Sequence, residues 1–170
     1  AAWITINRPD KYNAFRGQTV DELIHAFQTA GWDRSVGVIV LTGAGDKAFC
    51  AGNDLKYTAR GGNMKGPDTG FSGLSSRIDR LKPIVAAVNG FAMGGGFETA
   101  LACDVIIASE KARFALPEVK VGFFAAAGGI QRLSREIPRK QAVEMFLTGR
   151  QVGADEGARM GFVNEVVAHE

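Results

Sequence analysis

A chain of 170 residues is long enough for one compact domain with a sizeable core and too short to suggest two. Apolar residues make up 46% of it and charged residues 22%, an ordinary globular composition that excludes a disordered tail. The net charge of +2 argues against nucleic acid or a membrane surface as the main partner, although an anionic ligand needs only a local cluster of basic residues. Cys50 and Cys103 form neither a metal spacing nor a disulfide framework. Each sits in an apolar run (AFCAG, ALACDVII) and reads as a buried free thiol of a reducing compartment. No apolar run approaches the length of a membrane span, and no targeting peptide is visible ahead of the first strand.

Along the chain, residues 3–6 alternate as a strand and run into the turn signal Asn-Arg-Pro. In TVDELIHAFQTAGWD the apolar Val20, Leu23, Ile24 and Phe27 recur at helical spacing, with Thr19 and Glu22 as a capping box and Gly31 as the stop. The continuous apolar run 36–41 predicts a strand buried on both faces, followed by a glycine-rich loop, TGAGDKAFCAGNDLK. Residues 61–73 are rich in Gly, Asn, Pro and Ser and are expected to be mobile. Further buried strands are expected at 84–88 and 104–108, with helices from about Gly96 to Cys103 and over 131–148. Short apolar strands alternating with helices predict an α/β fold of stacked βαβ units, with no internal repeat or domain boundary.

Two segments carry candidate chemistry. Gly94, Gly95 and Gly96 stand between a strand and a helix, leaving bare amides at a helix N-terminus where they favour negative charge. A tight strand-to-helix turn explains the same residues, and a dinucleotide fingerprint fails on spacing. Glu98 follows in GGGFETALAC, a helix with almost no polar face. A first-turn carboxylate complements the helix dipole by about 0.3–1 kcal/mol, which accounts for an exposed Glu and poorly for one amid apolar neighbours. A buried carboxylate has a raised pKa, as a general acid or base requires. Glu118, after Pro117, reads alone as a solvated loop residue and gains meaning from being paired with Glu98.

The runs FCAGNDLK, NGFAMGGGFETALACD and ALPEVKVGFFAAAGGIQRL, in this order, resemble the crotonase (enoyl-CoA hydratase/isomerase) family, in its hydratase-like subgroup. NRPDKYNAF and ADEGARMGFVNEVV extend the resemblance over almost the whole chain. It implies an α/β fold built as a crotonase-like spiral of repeated ββα units. Residues 1–170 would then be the core domain of a longer protein that adds an N-terminal strand and a C-terminal helical segment. The resemblance also implies a coenzyme A thioester substrate, with no tightly bound cofactor beyond the coenzyme A of the substrate itself. The oxyanion-hole amides would be those of Asn53 and Gly95, Asn53 replacing a residue usually smaller. Glu98 and Glu118 match the glutamates that hold and activate one water. Ala51, Asn53, Asp54, Leu55, Lys56 and Gly95 match CoA-binding positions, with Lys11 and Arg16 as weaker candidates for its phosphates.

A homotrimer or hexamer without nucleic-acid or membrane partners is implied. The expected location is the bacterial cytoplasm, or the mitochondrial matrix if a leader precedes residue 1. The favoured activity is a hydro-lyase that hydrates a 2-enoyl-CoA or dehydrates a 3-hydroxyacyl-CoA. An enoyl-CoA isomerase, using one carboxylate, is the nearest alternative. A naphthoate synthase or ring-opening hydrolase relative follows, suggested by the stretch from Ala14 to Gly52. A non-catalytic RNA-binding relative is disfavoured by the balanced charge. His25 and His169 are expected at the surface, and Phe71, Phe123 and Phe124 suggest an apolar acyl pocket.

Overall fold

The computed structural model describes residues 1–62 and 68–169. In β1 (Ala2–Ile6) every second residue is apolar and buried: Ile4 and Ile6 face the core, Trp3 and Thr5 the outside. This strand begins a five-stranded sheet that continues through β2 (Ile39–Gly43), β4 (Ile84–Val88), β6 (Val105–Ser109) and β9 (Glu165–Val167). All four of its ladders are parallel, so every connection crosses over. The crossovers build a second sheet from β3 (Ala48–Cys50), β5 (Phe91–Met93) and β7 (Arg113–Ala115), closed by the antiparallel β8 (Val152–Gly153).

Each turn of the chain thus gives one strand to each sheet and then a helix. α2 (Leu55–Ala59) follows β3, and α3 (Gly95–Leu101) follows β5. This is the ββα spiral that the family resemblance implies, and it corrects the stacked βαβ units expected from periodicity. The three-residue strands β3, β5 and β7 are too short to display an alternating pattern, so they read as loop. Among the described residues, no helix is long and apolar enough to cross a membrane.

Several expected boundaries move for identifiable reasons. The apolar run from Val36 enters its strand only at Ile39, and Val40 and Thr42 are half-buried, so the first sheet is fully covered on one face alone. α1 (Gly17–Trp32) starts two residues before Thr19, because Phe15 and the extended Arg16 deliver the chain into the helix early. Thr19 is therefore buried inside the first turn, and the exposed Glu22 accepts from the Gln18 amide at 2.8 Å, so no capping box forms. Gly31 lies within the helix, which ends at the extended Asp33. The helix expected over 131–148 is two: α4 (Gly129–Glu136) and α5 (Arg139–Thr148), separated where Pro138 denies its N–H to a continuing helix. Of the stretch 61–73 expected to be mobile, residues 63–67 lie outside the described residues. Its end forms a tight turn at Phe71–Gly73 that packs on α1.

The connection after β1 is anchored by a residue that sequence reasoning passed over. Tyr12 and Asn13 both take left-handed conformations, at φ +49° and +56°. Asn13 is fully buried. Its Oδ1 accepts the Arg8 N–H at 2.9 Å, and its Nδ2 donates to the carbonyls of Ala44 at 3.0 Å and Ala48 at 2.7 Å. One side chain thereby ties the first turn to both ends of the β2–β3 connection. Asn13→Ala leaves these buried backbone groups without partners and is expected to cost about 2–4 kcal/mol of stability, read as a lowered urea midpoint at unchanged slope.

Candidate active site

The site grows from the turn into α3. Gly94, at φ +53° and ψ −123°, holds a conformation that side chains rarely adopt, and its N–H donates to the Ala115 carbonyl at 2.9 Å. A methyl on Gly96 would collide with the Cys50 carbonyl. One on Gly52 would stand 2.8 Å from the Met93 oxygen and 3.0 Å from the Gly95 nitrogen. The loop after β3 therefore packs backbone to backbone against the first turn of α3.

Two amides are left available there. Gly95 opens α3, so the helix offers its N–H no acceptor. Asn53 bridges Phe15 through its neighbours: the Phe15 N–H donates to the Gly52 carbonyl at 2.7 Å, and the Asp54 N–H donates to the Phe15 carbonyl at 2.9 Å. Across a trans peptide the Asn53 N–H points opposite to the Gly52 carbonyl, away from Phe15. No backbone carbonyl among the described residues takes it up. Phe71 covers Gly95 so closely that a methyl there would enter its ring, and Phe71 meets the ring of Phe15 edge-on at 5.3 Å.

Glu98 lies one helical turn beyond Gly94 and is 4% exposed. Its Oε1 accepts the Gly129 N–H, the first of α4, at 2.9 Å. Burial pushes its carboxyl up to about 7, and the charge of Glu118 adds to the rise. The amides of Gly129 and Ala127 and the cation of Arg132 oppose it. Glu118 sits in the 3-10 turn Pro117–Val121, where it would be 2.8 Å from a methyl on Gly94. Its Oε2 is buried with no hydrogen-bond partner among the described residues, and burial raises its carboxyl as well. Two carboxyls, both raised by burial, thus stand beside one glycine turn, an arrangement suited to acid–base chemistry.

The remaining expected site residues lie along the same loop. Ala51 is half-buried, and its N–H donates to the Tyr12 carbonyl at 2.9 Å. Asp54 caps α2, its Oδ1 accepting from the Tyr57 N–H at 3.1 Å while its Oδ2 pairs with Arg8 at 3.1 Å. Those contacts, the Tyr57 amide first, hold its carboxyl below the usual range. Leu55 and Lys56 are exposed on the first turn of α2. Lys11 is exposed, and Arg16 donates to the Gln18 side chain at 2.6 Å. Of the three phenylalanines expected to form a pocket, only Phe71 is packed on the glycine turn. Phe123 and Phe124 stack on each other at 5.5 Å and stay 63% and 61% exposed.

Cys50 is buried and free, its thiol pushed up to about 12 by burial; Cys103 is free and half-buried. His25 is exposed as expected, whereas His169 is half-buried and bonds Ser109 Oγ through Nδ1 at 2.9 Å. Sequence reasoning missed the Gly128–Gly129 turn that holds Glu98, although the run AAAGG was visible as an unexplained string of small residues.

The fold is thus a parallel-sheet ββα spiral with one glycine turn between the buried Glu98 and the half-buried Glu118. The enoyl-CoA hydratase/isomerase family model matches residues 1–170, and the chain belongs to that family. It is 44% identical to carnitinyl-CoA dehydratase of Proteus mirabilis and 45% to that of Escherichia coli K12, in each case over 97% of this chain and 64% of the relative. The chain therefore spans just under two thirds of these relatives' length. It also superimposes on a carnitinyl-CoA dehydratase from Mycobacterium avium 104 with a TM-score of 0.94 at 47% identity, covering 98% of this chain and 66% of that one. For an enoyl-CoA hydratase from Mycobacterium tuberculosis H37Rv the TM-score is 0.92 at 41% identity, covering 98% and 65%.

The raised carboxyl of Glu98 has a consequence for stability. The folded chain keeps this proton up to about pH 7, while the unfolded chain releases it near the ordinary glutamate value of 4.5. Folded protein therefore binds more protons in that window, and stability falls as pH rises through it, by up to about 3 kcal/mol, then levels off. Glu98→Gln keeps an acceptor for Gly129 and removes the titration. Its stability relative to wild type is expected to be higher at pH 8 than at pH 5, as compared by urea denaturation at both pH values.

Proposed function

We propose that the protein is an acyl-CoA hydro-lyase, adding water to a 2-enoyl-CoA or removing it from a 3-hydroxyacyl-CoA. The observation that carries this reading is the pair of carboxyls, Glu98 buried and Glu118 half-buried, on either side of the Gly94 turn with their pKa values raised. In hydration, one carboxylate takes a proton from water as the oxygen attacks the β-carbon. Electrons move onto the thioester oxygen, and the other carboxyl gives its proton to the α-carbon. Proton count is conserved, and dehydration runs the same steps backwards. The enolate oxygen would lie between the N–H groups of Asn53 and Gly95, each such donor being worth about 2.7–4 kcal/mol in the transition state.

Ala51, Asn53, Asp54, Leu55, Lys56 and Gly95 would line the CoA path, with Lys56 free to meet phosphate and Asp54 shaping the loop through its cap. Relatives bearing the name carnitinyl-CoA dehydratase support a short 3-hydroxyacyl substrate of that kind. They are bacterial, which with the free thiols supports a cytoplasmic enzyme. A homotrimer or hexamer is the assembly we expect of it.

Hydration of a short 2-enoyl-CoA, followed by loss of the conjugated thioester absorbance, tests this reading. Glu98→Gln and Glu118→Gln are each expected to lower kcat by about 10²–10⁴-fold with little change in KM. The double variant should be scarcely worse than the more damaging single one, because the pair works as a unit. Full kcat in Glu118→Gln beside an inactive Glu98→Gln would point instead to a one-carboxylate isomerase. Full activity in both single variants would remove the hydro-lyase.

A further inference from the structure

Arg132 touches both halves of the site without belonging to either. Its guanidinium folds back over Gly128, a residue at φ +104° where a methyl would collide with Nη1. Its own N–H donates to the Gly128 carbonyl at 2.9 Å, closing the first turn of α4. The leading N–H of that turn, from Gly129, is the donor to Glu98. In the other direction, Arg132 Nη2 donates to the Ser75 carbonyl at 2.7 Å. The Ser75 N–H in turn donates to the Phe71 carbonyl at 3.1 Å, and the Phe71 ring seats on Gly95. Ser75 is 57 residues from Arg132 in sequence, so no local constraint joins the segments.

We propose that Arg132 is a positioning residue that locks the Gly128–Gly129 turn onto Glu98 and the 71–75 segment over Gly95 in one register, while placing a fixed cation behind Glu98. The inference rests on the acid–base reading of the glutamate pair. A neutral side chain would leave the two segments to shift separately, and a shift of about 1 Å in a catalytic group costs on the order of a hundredfold in rate. The charged groups in play are few. Glu98 faces Glu118 from the 3-10 turn and Arg132 from α4, and Arg132 also acts on Glu136, one turn further along its own helix, and on the Cys103 thiol after α3. Among the described residues, Arg132 alone supplies positive charge to Glu98.

The test uses Arg132→Gln, which loses both the charge and the guanidinium reach to Ser75, and Arg132→Lys, which keeps the charge and loses the forked geometry. Glu98 is titrated directly by carbon NMR of glutamate-labelled protein, its resonance assigned by its loss in Glu98→Gln, and hydration of a short 2-enoyl-CoA is measured alongside. In Arg132→Gln the Glu98 midpoint is expected to move above the wild-type value, whereas Arg132→Lys should hold it near wild type. Both variants should lose about tenfold or more in kcat with KM changed by less than about threefold. An unmoved Glu98 midpoint in folded Arg132→Gln overturns the proposal. So does full kcat in Arg132→Lys, the variant that decides the matter if Arg132→Gln does not fold. The NMR titration needs no turnover, so wild-type protein inactive on enoyl-CoA would sink the hydro-lyase reading while the Glu98 midpoints still decide the role of Arg132.

Discussion

The rest of the structure depends on one contact between two stretches of main chain. Cys50 and Gly52, leaving β3, lie directly on Gly95 and Gly96, which open α3. No side chain fits between them: a methyl at Gly96 meets the Cys50 carbonyl and one at Gly52 meets the Met93 oxygen. Such an approach brings two successive turns of the ββα spiral together at the depth of their backbones. It leaves N–H groups bare on its rim, because a peptide at a helix start or beside a bridge has a donor with no internal acceptor. Geometry that a folding chain would ordinarily avoid thereby becomes the place where, as we propose, an oxyanion would be met.

That contact also determines where the acids stand. Glu98 is carried one turn into the helix whose start is pinned, so its carboxyl is taken out of water with little freedom to escape. The hydrogen bond from the Gly129 N–H offsets only part of the cost of burial, and the carboxyl holds its proton to about pH 7. Glu118 arrives from a separate element, the 3-10 turn that opens at Pro117, and its oxygen Oε2 is buried with no hydrogen-bond partner among the described residues. The stability lost to these two carboxyls is recovered in the aromatic and aliphatic core, where Phe97, Phe114 and Phe162 pack with ring centroids 5.1–5.3 Å apart.

Much of this was legible in the residues. Period-two alternation located β1, continuous apolar runs located β4 and β6, and a glutamate in a helix without a polar face marked Glu98 as unusual. These are local signals, in which side-chain spacing along the chain maps directly onto one face of one element. The order of the motifs was specific enough to identify the family, and the family resemblance supplied the spiral that periodicity had misread. Boundaries failed where a neighbour intervened: α1 begins early because Phe15 is bridged to Asn53, and the capping box of Thr19 was overridden by that entry.

What the sequence by itself determined, then, was which segments must be dry, which residue types could do acid–base chemistry, and the class of fold that such a pattern belongs to. Only the tertiary structure decided that Glu118 comes to the turn that precedes Glu98, that Phe71 caps Gly95, and that Arg132 reaches Ser75. The physical reason is distance along the chain. Each of those meetings joins residues 20 or more positions apart, with no shared helix or hairpin to impose a spacing. They are set by the packing of whole elements around the backbone contact at Gly52 and Gly96, a property of the assembled core that no local pattern records.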